Sequence, residues 1–452
     1  MLVDLPRRWR WVIGAGCALV AAVALLFVVF SKPGEQAVVA VAVGAAPVVE
    51  LPFDVAPPPT PANEPAPPDS GDAHGVDEVQ VCGGAWVRIE PDGKPNDDDF
   101  DRAAHDPKQR ERILTKMRAS GSEFARASTL ALEMLGGDEA HRAAFLSIDA
   151  LCEVPGCGAT EDALADLAQR RDALARLAVA TSDPKVYALA IRICGDKHAT
   201  DGACQLLSAE QWARLDPDNA APWSVILTRA AARGDLAAQD NALFRMASAR
   251  RNDTGFLAMP ASILEAATDD DAGRFAASVM AMEASNFEAF RAMSDGQVSV
   301  SYCGTAALRD PNRAQMCSGV AETLAERSES FFGRGFGLEI GKRLGWPADR
   351  LDRMRGESAA YAEQLTHSPS KTEQVNPFGC FFVDQELAVM RRHVALGEVG
   401  ALREWIAKSG KRPEDFIAEE RVRQQQRARE AEQAASATAA ARGRASAPAP
   451  SN

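Results

Sequence analysis

Behind Arg7, Arg8 and Arg10, the chain runs from Trp11 to Phe30 as twenty residues without a charge. A helix needs about twenty apolar residues to cross a bilayer, and the arginines before the run favour a cytoplasmic N-terminus. The run is longer than the apolar core of a secretory signal, which has roughly 7–15 residues. The first small-residue cleavage pattern, Ala40-Val41-Ala42, lies well past its end. The pattern therefore predicts residues 1–10 as a cytoplasmic tail and 11–30 as an uncleaved transmembrane signal-anchor. Gly14 stands where a lipobox before Cys17 needs an aliphatic residue, so Cys17 reads as a small apolar group in the membrane. Residues 31–75 form a Pro/Ala-rich linker, with nine prolines between Pro47 and Gly75. Proline-rich chain is stiff, and about thirty residues at about 3 Å each would reach roughly 90 Å from the bilayer.

Beyond the linker the apolar period changes to that of helices. Phe124, Ala127, Ala131, Met134 and Leu135 share one face before Gly136-Gly137, and Asp138 opens a helix carrying Ala144, Phe145, Ile148 and Leu151. Ala163, Leu164, Leu167, Leu174 and Leu177 form the next stripe, stopped by Ser182-Asp183-Pro184, after which a segment runs to Cys194. Ser208-Ala209-Glu210-Gln211 is a capping box. Gly319 to Leu344 reads as one long helix, Pro347 starts another, and Gly397 divides Val383–Leu396 from a helix holding Leu402 and Trp405. Only Ala85–Glu90 and Gln297–Tyr302 look strand-like. The helical domain is expected over 76–412. In 413–433 the apolar residues Phe416, Ile417 and Val422 do not repeat, which predicts a charged, solvated helix; 434–452 is Ala/Ser/Pro low complexity, expected to be disordered.

One stretch resembles the tetratricopeptide repeat. Leu215-Asp216-Pro217-Asp218-Asn219 matches the end of such a repeat, Trp223 falls on the family's first-helix tryptophan, and Gly234-Asp235 fall on its inter-helix turn. Gln239 and Arg251 depart from the alanine and proline usual at their positions, and the resemblance covers about 35 residues. It implies an all-α fold of stacked helical hairpins, a tetratricopeptide-like solenoid, with Trp223 and Ile226 packed between helices.

The predicted topology gives the cysteines a role. Beyond Cys17 lie Cys82, Cys152, Cys157, Cys194, Cys204, Cys303, Cys317 and Cys380, an even set in a compartment expected to be oxidising. Spacing across turns suggests Cys152–Cys157, Cys194–Cys204 and Cys303–Cys317, which leaves Cys82 with Cys380 by elimination. Metal binding is the rival use. No C-x-x-C occurs, and the partial set Cys194, His198 and Cys204 reads as a surface histidine between staple cysteines, so no metal or other cofactor is expected.

Other candidate chemistry has a plainer explanation in each case. P-loop, H-E-x-x-H and G-x-S-x-G patterns are absent from the sequence. Asn96 to Asp101 lacks the glycine and closing glutamate of a calcium loop, and Asp269-Asp270-Asp271 reads as a helix N-cap. Gly333, Gly335 and Gly337 have no preceding strand and sit in helical periodicity, which points to close packing rather than phosphate binding, with Phe331 and Phe332 beside them in the core. Asn252-Asp253-Thr254 fits a glycosylation sequon. A formal net charge of −13 with pI near 5.1 disfavours nucleic-acid partners.

Together these features describe a single-pass protein of the bacterial inner membrane with a periplasmic helical domain. The expected role is binding or scaffolding of an envelope protein or peptide. Two rivals are an enzyme cleaving an envelope glycan with a groove carboxylate, marked by a raised pKa, and a sensor. A tail of ten residues is too short for a signalling domain.

Overall fold

A computed structural model describes residues 78–90, 95–135, 161–195, 198–366, 379–426 and 429. The expected anchor (11–30), linker, Asp138 helix, Cys152–Cys157 pair and C-terminal tail lie outside them. Among the described residues no helix is long and apolar enough to cross a membrane.

The described fold is all-α apart from one hairpin. Strand β1 (Glu78–Gln80) pairs antiparallel with β2 (Trp86–Arg88), Val79 opposite Val87. Gly83 turns this hairpin at φ +101°, and a Cβ there would come within 2.6 Å of the Ala272 backbone. Helices α1 (Asp97–Ala104), α2 (Pro107–Ala119) and α3 (Glu123–Leu135) follow, then α4 (Glu161–Ala180), α5 (Pro184–Cys194) and α6 (Ala209–Leu215). The next pair is α7 (Ala221–Ala232) and α8 (Leu236–Ser248), followed by α9 (Ala258–Ala266) and the 32-residue α10 (Asp271–Tyr302). Helices α11 (Pro311–Arg327), α12 (Phe331–Arg343), α13 (Ala348–Thr366) and α14 (Cys380–Ser409) complete the body, with α15 over 413–426.

Polar side chains start these helices. Asp106, Asp183, Ser208, Asp235, Asp270, Asp310 and Ser330 each accept a backbone N–H of the following first turn. Proline follows directly at 107, 184 and 311, where its missing N–H leaves nothing unbonded. The hairpin foreseen at Trp223 is present: α7 and α8 pack together across Gly234, whose φ is +67°. Helix α8 packs on α11 and α11 on α12, while α10 lies against both α7 and α12. Helices α9 and α10 are inserted between the α7–α8 and α11–α12 hairpins in the chain, yet the hairpins still pack together through α8 and α11. At Gly296 α10 passes so close to α12 that a side chain would overlap the Phe336 ring.

Three expectations change. Gln297–Tyr302 is the end of α10, where the consecutive residues Ser299 and Val300 are both buried, a pattern that alternating strand burial does not give. The stretch Gly319–Leu344 is two helices, since Ser330 caps a new one by accepting the Gly333 N–H at 3.2 Å. Phe416 is fully buried among Phe331, Tyr361, Leu402 and Ile406, so α15 is fastened to the body instead of being wholly solvated.

Candidate functional site

The chain segments entering and leaving the hairpins stack side by side. Asn219 forms a parallel bridge with Arg251, and Asn252 forms another with Ser328. The Ala220 N–H donates to the Arg251 carbonyl at 2.9 Å, and the Asn252 N–H to the Arg327 carbonyl at 2.9 Å. The Glu398 N–H extends the stack by donating to the Glu329 carbonyl at 3.1 Å. Segments 216–220, 249–255, 327–330 and 397–398 thus form one layer over the hairpin ends.

Asn219 fastens the first two segments. Its Nδ2 donates to the Asp253 carbonyl at 2.7 Å and to Asp216 Oδ2 at 2.9 Å, while Oδ1 accepts the Asp253 and Ala221 N–H groups. All its hydrogen-bonding capacity is used, as a residue only 1% exposed requires. Arg251 bridges the carboxylates of Asp216 and Asp253. Below the layer, Arg192 pairs with the buried Glu288 and donates to the Thr254 carbonyl.

Glu329 stands at the rim with its side chain reaching solvent. Partial burial holds its carboxyl above the ordinary glutamate range and the Asp253 charge adds to this, with Arg251 and Lys185 opposing. This carboxyl therefore lies in the field of a carboxylate already paired with Arg251.

A second acid lies deeper. Glu398 follows Gly397, whose φ of +71° breaks α14 into two halves. Its Oε2 accepts the Phe331 N–H at 2.8 Å and its Oε1 accepts the Tyr361 hydroxyl at 2.6 Å. Burial pushes this carboxyl up to about 6 despite both donors. The Tyr361 phenol, also fully buried, is held well above its usual value. Its ring stacks on Phe331 with centroids 4.1 Å apart. Nearby, Glu357 accepts from the buried Arg334 and from Arg403 at 3.2 Å, joining α12, α13 and α14. Glu398 and Glu357 are 2% and 6% exposed, so as placed they hold helices together and reach no substrate.

The structure brings three of the four suggested cysteine pairs together. The Sγ atoms are 2.18 Å apart for Cys82–Cys380, 1.91 Å for Cys194–Cys204 and 1.99 Å for Cys303–Cys317. Cys152 and Cys157 lie outside the described residues. Asp271 brings a carboxylate oxygen within 4.8 Å of the Cys82 and Cys380 sulfurs, but sulfurs joined to each other leave a cation only that one carboxylate. His198 Nδ1 lies 2.8 Å from Asp201 Oδ2, and Cys194 and Cys204 are joined to each other. Asn252 is 6% exposed and its Nδ2 is bonded to Ser328 Oγ, so the folded chain offers no glycosylation site there. Asp97–Asp101 lie in α1, where the Asn96 side chain accepts the Asp99 N–H. Gly333 and Gly337 lie inside α12, where a Cβ at Gly337 would overlap the Ala325 backbone.

The two residues at which the resemblance to a tetratricopeptide repeat fails each make a local contact: Arg251 ties Asp216 to Asp253, and Gln239 donates to the Ala230 carbonyl at 3.3 Å, across the hairpin. Glu329 and Glu398 escaped the sequence reading because nothing local distinguishes them from other glutamates. The Ser328-x-Ser330 spacing was the one available signal that a loop sits there. No protein-family model matches this sequence, no curated protein matches it, and no solved structure matches it.

Proposed function

We propose that the chain is a binding or scaffolding protein of the bacterial cell envelope, anchored in the inner membrane through residues 11–30. Its helical body, read as tetratricopeptide-like stacked hairpins, occupies the periplasm, where its cysteines pair. The observation that carries this reading is the α7–α8 hairpin. Its Gly234 turn and Trp223 packing support this reading by resembling the unit from which peptide- and protein-binding arrays are built. On the outer side of that hairpin Leu236 and Phe244 remain 64% and 56% exposed, apolar side chains held on rigid helix. The expected partner is an envelope protein or peptide with an apolar contact surface.

The test is a photo-crosslinking amino acid at Phe244 in the full chain, activated in the native envelope and analysed by mass spectrometry. The same envelope protein or peptide captured from independent cultures is the expected result. Crosslinks only to lipid, or none, would count against the binding role.

A second reading is an enzyme that cleaves an envelope glycan. Glu329 favours it, as a solvent-reaching acid with a raised pKa beside a paired carboxylate. Release of soluble fragments from purified cell-wall glycan, lost in Glu329→Gln, would establish it; no release by the unaltered chain would dismiss it.

A further inference from the structure

Among the described residues, the outward face of the first half of α14 is an exposed apolar strip interrupted by Gln385 and Arg392. Phe381, Val389 and Leu396 are 52%, 42% and 44% exposed. Positions 381, 385, 388, 392 and 396 recur at intervals of three and four, with Val389 alongside, so they share one helix face about 22 Å long at 1.5 Å per residue. The opposite face is already occupied: Val383 and Leu387 pack in the core beside Cys82, Phe275 and Val279. His393 is also buried.

We propose that this face is the contact of a two-fold symmetric dimer, in which a second copy of the chain lays residues 380–396 antiparallel across it. The sequence is complementary to itself in that direction only. With the axis between Ala388 and Val389, Phe381 meets Leu396 of the other copy, and Ala388 meets Val389. Gln385 meets Arg392, an amide carbonyl facing a guanidinium. On one flank Asp384 comes within reach of Arg391, and the symmetry makes each of these contacts twice. Ala388, half way along, lets the two backbones approach closely. A parallel pair would instead set Arg391 and Arg392 against their own copies, which like-charge repulsion opposes. Arg392 is held on this face by its pair with Glu404 and Asp384 by its pair with Arg274, so both charges are positioned before the copies meet. This inference is independent of what the body binds.

The test uses the full chain solubilised in mild detergent, with molar mass measured by light scattering after subtraction of the detergent. A mass twice the 48.2 kDa of one chain is expected at tens of micromolar. Val389→Asp and Leu396→Asp should each weaken the dimer at least tenfold while the far-UV helix signal is unchanged, since each sets a charge in an apolar contact. Asp384→Arg or Arg391→Asp alone should weaken it, and the two together should restore it. A monomer at every concentration would overturn the proposal, as would a dimer indifferent to Val389→Asp and Leu396→Asp. Failure of the charge swap to restore association would overturn the antiparallel register.

Discussion

Tyr361 donates its phenol hydrogen to Glu398 across 2.6 Å, where both side chains are buried. The same carboxyl caps α12 through the Phe331 N–H, so one side chain joins three helices. Removing the phenol oxygen in Tyr361→Phe leaves a buried carboxyl with one donor. The expected loss is about 1–3 kcal/mol of stability, read from the denaturant midpoint. An unchanged midpoint would mean that the pair contributes nothing.

The two buried titrating groups of α14 respond to pH in opposite directions. Glu398 titrates at about 6 when folded, against an ordinary value of 4.5. Its stabilising difference is complete below 4.5 and is lost as pH rises through about 6, on the order of 2 kcal/mol. His393 is kept neutral by burial, with its value lowered from 6.5 to about 4. Its contribution is complete above 6.5 and is lost as pH falls through about 4, on the order of 3 kcal/mol. Because the two windows overlap, the contributions partly offset in stability measured from pH 4 to 8: the unaltered chain should gain about 1 kcal/mol, Glu398→Gln about 3 kcal/mol, and His393→Gln should lose about 2 kcal/mol. Parallel curves for the variants and the unaltered chain would refute both assignments.

The glycines of α12 separate packing from a loop role. A Cβ at Gly337 would come within 2.4 Å of the Ala325 backbone, whereas one at Gly335 would meet nothing within 4 Å. Gly337→Ala should cost about 1–3 kcal/mol through overpacking. Gly335→Ala should stabilise by about 0.5–1 kcal/mol, as alanine does in a helix interior. Thermal melts of the two variants check the contrast, and shifts of the same sign would contradict it.

The turn at Gly234 makes a smaller claim. A Cβ there would meet nothing within 4 Å, yet φ is +67°, so alanine is opposed by backbone strain alone. Gly234→Ala should cost roughly 1–2 kcal/mol, and Gly234→Asn less, because asparagine enters the left-handed region more readily. Equal melting temperatures for the two variants would show that the turn does not demand this conformation.

Helix boundaries were legible wherever a short polar residue and a proline or glycine coincide. Asp183-Pro184, the Ser208 box, Gly234-Asp235 and Gly397 all fall where the sequence puts them, because capping and left-handed turns are local chemistry. What stayed hidden depends on partners far along the chain. The Asn252–Ser328 bridge spans 76 residues, and Tyr361 and Glu398 are separated by 37. Neither end of these pairs announces the other. Phe416 could not be seen as core from the sequence, since a lone aromatic has no period and its pocket is built by α12, α13 and α14. At Gln297–Tyr302 a six-residue window fits either period, and only contact with α12 decides it.

The link between Cys82 and Cys380 joins fold and compartment most closely, since it closes a separation of 298 residues and ties the β-hairpin to α14. The deciding measurement is disulfide mapping by mass spectrometry on the full chain, taken from its native membrane with thiols blocked at lysis and digested without reduction. A peptide containing Cys82 covalently joined to one containing Cys380 is the predicted result. Both cysteines recovered singly and carrying the blocking group would contradict a helical body closed end to end in an oxidising space.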